Sequence, residues 1–157
     1  MKKLIVFLSI LALASCGRVP VEFVSQTNTP WGTIGMAEGW VVKEQSDYNI
    51  ILESQLEANT EIIIRYVRMP DDLDGYAKSF IEVSGRTLDG TGAIEIDGKD
   101  YNLYKMTAIV GGTNVSELLA LVPYQGKLLA IDATWRANSV LADIPEGMVK
   151  SIKFGGN

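Results

Sequence analysis

TEIIIRYVRMPDDLDGYAKSFIEVSG, residues 60–85, changes its hydrophobic period halfway along, and that change decides the fold class. From Thr60 to Met69, Ile62, Ile64 and Tyr66 share one phase and Arg65 the other, the alternation of a half-buried strand. Past Pro70, residues Leu73, Tyr76, Ala77, Phe80 and Ile81 fall at i, i+3, i+4, i+7 and i+8, the stripe of an amphipathic helix. Asp71, Asp72 and Asp74 stand where carboxylates cap free N–H groups and favour the positive end of the helix dipole. Gly85 supplies the stop.

The segments on either side read as strands. Tyr48 to Leu56 alternates, with Ile50, Leu52 and Leu56 on one face and Glu53, Gln55 and Glu57 on the other. Joined to residues 60–69 through Ala58-Asn59, it predicts a hairpin. Trp40-Val41-Val42 is a short β-rich piece before it. Gly92 to Ile96 and Lys99 to Val110 flank Asp97-Gly98, a strong hairpin turn. Gly111-Gly112-Thr113-Asn114 makes the next turn. Val115 to Pro123 and Leu128 to Trp135 flank Tyr124-Gln125-Gly126-Lys127, a third hairpin. Leu118 to Val122 is apolar on both faces, as a central strand should be. Leu141, Ile144, Met148, Val149 and Ile152 predict a closing helix, kinked at Pro145 and Gly147 or beginning near Asp143. The expected fold is α+β, a single antiparallel sheet of about six to seven strands with helices packed against it.

At the other extreme of the chain, Lys2 and Lys3 precede an apolar run of eleven residues, Leu4 to Ala14. The run is shorter than the roughly 20 residues that span a bilayer, but suits the core of an export signal. Leu13-Ala14-Ser15-Cys16 looks like the bacterial lipobox. In that reading the chain is cut between Ser15 and Cys16, and the Cys16 thiol carries a diacylglycerol unit. Each buried methylene adds about 0.8 kcal/mol of membrane affinity, so two or three acyl chains hold firmly. The competing readings are an uncleaved anchor, or a soluble export signal with an incidental cysteine. Gly17, where Asp would be the retention residue, resembles the signal for outer-membrane delivery, which favours an outer membrane anchor facing the periplasm over the inner membrane. Residues 1–15 are thus the signal peptide, 16–30 the lipidated N-terminus and tether, and 31–157 one domain.

The order of elements, hairpin, helix, antiparallel strands and closing helix, resembles the bacterial envelope lipoproteins of the DcrB type, in a wider superfamily that includes the photosystem subunit PsbP. Trp40 after Gly39 resembles the Gly-Trp that follows the family's first strand. Asp71-Asp72-Leu73-Asp74-Gly75-Tyr76-Ala77 resembles its acidic-capped helix, and Ile94-Glu95-Ile96-Asp97-Gly98-Lys99-Asp100-Tyr101 its strand-turn-strand. Leu128 to Trp135, followed by Ser151-Ile152-Lys153-Phe154, looks like the last strand and closing helix. The resemblance covers roughly residues 35–155 and implies a fold; the family has no shared catalytic triad or metal motif to carry over.

Composition excludes a good deal. The chain has no histidine and one cysteine. Ser-His-Asp and Cys-His catalysis, disulfides and His-containing zinc sites cannot be built. Loss of Lys2 and Lys3 takes the formal charge from −5 to −7, which argues against nucleic acid. Asp72-Leu73-Asp74-Gly75 lacks the flanking acids of a calcium loop, since Pro70 and Ile81 stand in their places. Gly85, Gly90, Gly92 and Gly111-Gly112 lack phosphate-loop spacing and read as turns. Asn114-Val115-Ser116 matches a glycosylation sequon without meaning in a bacterial lipoprotein. Trp31, Trp40, Trp135 and Tyr124 could line a groove, though core packing suits Trp135 better. Arg65 and Arg68 could grip an anion, and Glu95, Asp97 and Asp100 read as solvated hairpin acids.

These readings lead to a non-enzymatic, lipid-anchored envelope protein acting as an interaction or accessory module for another envelope protein, with no cofactor. The alternative is a carrier for a small apolar ligand or lipid; a carboxylate or Ser-Lys enzyme is the poorest fit. Cys16→Ala is expected to abolish lipid attachment and membrane retention, checked by labelling cells with a fatty-acid probe.

Overall fold

In the computed structural model, which describes residues 20–155, the elements run β1 (Phe23–Thr29), β2 (Gly32–Ala37), β3 (Trp40–Gln45), β4 (Asn49–Ser54), β5 (Glu61–Arg68), α1 (Leu73–Val83), β6 (Thr87–Ile96), β7 (Lys99–Val110), β8 (Thr113–Tyr124), β9 (Lys127–Arg136), α2 (Asp143–Lys150) and β10 (Lys153–Phe154). The first predicted hairpin is β4–β5, with Ile50 opposite Ile64 and Leu52 opposite Ile62. All four are buried. Leu56 leaves this face: it lies beyond the end of β4, beside Gly39, and is largely exposed.

Seven strands form one antiparallel sheet in the order β3-β4-β5-β9-β8-β7-β6. Its two faces are covered differently. On one face, residues such as Ile62, Ile64, Leu118, Ala120, Ile131 and Ala133 pack against β2 and α2 through Trp31, Ile34, Met148 and Val149. On the other, Tyr104, Met106, Leu119, Leu121, Leu128 and Ala130 pack under α1 through Ala77 and Ile81. Coverage of both faces explains why Leu118 to Val122 is apolar without alternation: each of the five is buried.

A second sheet of three strands, β1-β2-β10, lies outside the single sheet expected from sequence. β1 falls within residues 16–30, so the stretch read as a tether is folded from Phe23, ahead of the boundary at Trp31. Its sequence, FVSQTNT, hides this because little of it is buried; backbone pairing to β2 holds it. β10 closes the sheet by pairing Lys153 with Thr33 and Phe154 with Gly32.

The closing helix is continuous. It starts at Asp143, which puts Pro145 in the first turn, where N–H groups have no helical acceptor to lose. Gly147 is explained by the N-terminal segment crossing the helix there, since a Cβ would come 2.5 Å from Val21 Cγ2. In α1, Asp72 accepts a hydrogen bond from the Asp74 N–H at 3.0 Å, the predicted cap. Gly85, at φ +67°, follows the helix as expected. Among the described residues, no helix is long and apolar enough to cross a membrane.

Gly32 is the tightest point of the small sheet. It has φ +150°, and a Cβ would stand 1.9 Å from the Lys153 carbonyl oxygen. Gly32→Ala is expected to expel β10 and lower the unfolding free energy by about 2 kcal/mol or more, read from urea melts.

Candidate functional site

Two polar features sit on the α1 face of the large sheet. The first is a cleft of about 460 Å³ between α1 and the outer hairpin β6–β7. The chain turns directly from α1 through Ser84, Gly85 and Arg86 into β6, with the Arg86 N–H donating to the Ile81 carbonyl at 3.2 Å. Asp74, Lys78 and Ile81, one helix stripe at i, i+4 and i+7, form one wall. Leu88, Thr91 and Gly92 of β6, with Asn102 and Tyr104 of β7, form the other. The Tyr104 hydroxyl donates to Asp74 Oδ1 at 2.6 Å. Burial, with the Asp74 carboxylate adding to it, pushes the Tyr104 phenol up to about 12. The phenol therefore remains a donor at neutral pH.

The second feature is a buried charge cluster past the C-terminal end of α1. Arg86 Nε donates to both carboxylate oxygens of Glu117 at 2.5 Å. The Arg86 guanidinium also lies 5.1 Å from the centre of the Phe80 ring. Asp132 Oδ2 is 3.8 Å from Arg65 Nη1 and 3.9 Å from Arg86 Nη2. Asp132 Oδ1 is buried with no hydrogen-bond partner among the described residues. Burial raises the Asp132 carboxyl to about 8; the neighbouring Glu117 adds to the rise, and Arg86 and Arg65 oppose it. Arg86 and Glu117 are used on one another, and Arg86 ties the end of α1 to β8.

Sequence reasoning missed this cluster. Glu117 and Asp132 stand as single acids inside apolar runs, and Arg86 lies between two elements. The available signal was phase: Glu117 shares the buried face of Leu119 and Leu121, and Asp132 that of Leu128 and Ala130.

The residues singled out from sequence are dispersed. Ser15 and Cys16 lie outside the described residues. Asp72 caps α1 and Asp74 binds Tyr104, while among the described residues no group of three or more potential ligands is placed to hold a metal ion. Arg65 reaches Asp132, whereas Arg68, three residues on, points to the opposite face of β5, so the two do not form a grip. Trp31 and Trp40 are buried and Trp135 is half-buried against the same core. Tyr124 stacks on Phe154 with ring centres 5.1 Å apart. Asp97 is engaged at its hairpin, 3.3 Å from Lys153 Nζ and accepting the Phe154 N–H at 3.2 Å. Gly111 and Gly112 form a turn, but Gly90 and Gly92 correct the reading of all these glycines as turns: both lie within β6, Gly90 beside its bulge.

No protein-family model matches the chain, and no curated protein matches it by sequence. Solved structures do match. Cyanobacterial PsbP (CyanoP) from Synechocystis superposes with a TM-score of 0.62 at 16% identity, over 91% of this chain and 99% of that one. The Saccharomyces cerevisiae Ran-binding protein Mog1p gives 0.59 at 11% identity, over 83% of this chain and 94% of its own. A Bacteroides thetaiotaomicron protein gives 0.59 at 11% identity, over 83% of this chain and 47% of that longer one. The chain has a PsbP-like fold, and at these identities the likeness concerns the fold alone.

Asp132 gives this fold a defined pH response. An unfolded Asp releases its proton near 3.8 and the native one near 8, so between those values the native state binds more protons. Its contribution to stability is full below the lower value and is lost as pH rises through the upper one. Asp132→Asn is expected to reduce the fall in stability between about pH 5 and about pH 9, measured by urea midpoints at each pH.

Proposed function

We propose that the chain is a lipid-anchored bacterial cell-envelope protein whose PsbP-like domain serves, without catalysis, as an interaction or accessory module for another envelope protein. The observation that carries this reading is the run from Lys2 to Cys16, a charged start, an apolar stretch and small residues before the single cysteine. Lipid on Cys16 confines the domain to a surface and raises its effective concentration towards partners there, so weak contacts suffice. Gly17 favours the outer membrane, facing the periplasm. The charge cluster supports a non-enzymatic role: Glu117, with a side chain almost entirely buried, is held by Arg86 instead of being presented to a substrate.

A second reading, a carrier for a small apolar ligand or lipid, is favoured by the α1–β6 cleft. Its 460 Å³ falls within the roughly 300–1,000 Å³ of small-molecule sites. The interior beneath Trp31 offers no such space, with a void of only about 10 Å³. A carried molecule would therefore sit at the edge of the sheet.

The test of the main reading is intact mass and membrane partition in a lipoprotein-competent bacterium, combined with cross-linking in intact cells. A mass starting at Cys16 with acyl chains, and a reproducible cross-linked envelope protein, is the expected result. An unlipidated soluble product would overturn it.

A further inference from the structure

The cleft has a direction. The Arg86 N–H on the Ile81 carbonyl puts Ile81 near the start of β6, and the hydrogen bond from Tyr104, which lies opposite Thr91, puts Asp74 near the middle of the β6–β7 hairpin. Pairing along the sheet fixes the order: Leu88 opposite Met106, then Thr91 opposite Tyr104, then Ala93 opposite Asn102. Asp74, Asn102 and the Tyr104 hydroxyl make one end polar. Ile81 and Leu88 make the other apolar, and Leu88 is 45% exposed. Ile81 is seven positions beyond Asp74 on the helix, an axial distance of about 10 Å. A Cβ at Gly90 or Gly92 would meet no atom within 4 Å, so bare backbone borders open space.

The charges in the cleft are unequal in what they still offer. Asp74 already accepts from Tyr104, and neighbouring Asp72 already accepts the Asp74 N–H. Lys78 lines the same space and has no hydrogen bond or ion pair within the described residues. An ammonium one turn from an apolar recess, with Asn102 of β7, whose side chain also hydrogen-bonds Tyr104, lining the same space, matches an anionic group attached to a hydrocarbon chain. A volume near the lower end of the small-molecule range suits one chain better than two.

We propose that the α1–β6 cleft binds a single-chain amphiphile with an acidic head, the head held by Lys78 and Asn102 and the chain laid along Ile81 and Leu88. The proposal rests on the carrier reading and names its ligand class. A free fatty acid and a single-chain phospholipid share this chemistry.

The experiment is an NMR titration of the mature chain, residues 16–157 with Cys16→Ala, which contains every described residue and has no covalent lipid to compete. Decanoate, decyltrimethylammonium and decyl maltoside serve as monomeric probes. Decanoate should shift the amides of Lys78, Leu88, Thr91, Gly92 and Asn102, and bind about tenfold or more tightly than the cation. Leu88→Glu, at an exposed site, should weaken decanoate about tenfold or more. Lys78→Glu, also exposed, should abolish the preference for the anion; circular dichroism checks that both variants fold. Stronger binding of lysophosphatidic acid than decanoate would assign the phospholipid as the source, and the reverse the fatty acid. If the cation or the maltoside binds as tightly as decanoate, the acidic-head assignment is overturned and the carrier reading stands. If no probe binds, or Leu88→Glu changes nothing, both are overturned.

Discussion

Everything in this fold depends on hiding both faces of β8 and β9. Leu118 to Val122 and Leu128 to Ala133 are buried without interruption, so no side of these two strands can be left to water. A seven-stranded sheet alone would cover neither face. α1 takes one, while β2 and α2 take the other. Each fully buried Leu or Ile is worth about 1.5–3 kcal/mol, so shedding either layer would cost more than a small domain's whole margin. The helices and the small sheet are therefore coverings demanded by two strands.

The coverage on the α1 side is incomplete, and polar chemistry collects where it stops. Past the helix's C-terminal end, Glu117 and Asp132 occupy positions on the same face as Leu119 and Leu121. Arg86 makes this tolerable by supplying its charge at the point where the chain leaves the helix. Along the helix's flank, the outer hairpin extends past it and leaves the cleft. One short helix on a wide sheet accounts for both features.

How much of this was legible in the sequence follows from how far apart the cooperating residues lie. The β4–β5, β6–β7 and β8–β9 hairpins, and α1 with its Asp72 cap, are written in neighbouring residues and were read there. The three-stranded sheet was not, because β10 meets β2 across some 120 residues and neither has a strong alternation. Pro145 left two readings open, a kink or a helix beginning near Asp143, and the start of α2 at Asp143 selects the second. Gly147 made sense once Val21 was found against it. The cleft draws on α1, β6 and β7 at once, and the charge cluster on single residues of four segments, so neither has a local pattern to find.

The contact between Val21 and Gly147 also sets a leash. Val21 is only five positions beyond Cys16, a span of at most about 18 Å when fully extended. Under the proposed anchorage, the α2 side of the molecule is kept close to the membrane surface and has little freedom to turn over. The cleft lies on the opposite face of the large sheet, which under that anchorage would be turned towards the aqueous space. Such a molecule stands on its lipid with a fixed outward side, and anything entering the cleft would arrive from the compartment, without leaving the protein's own membrane beneath it.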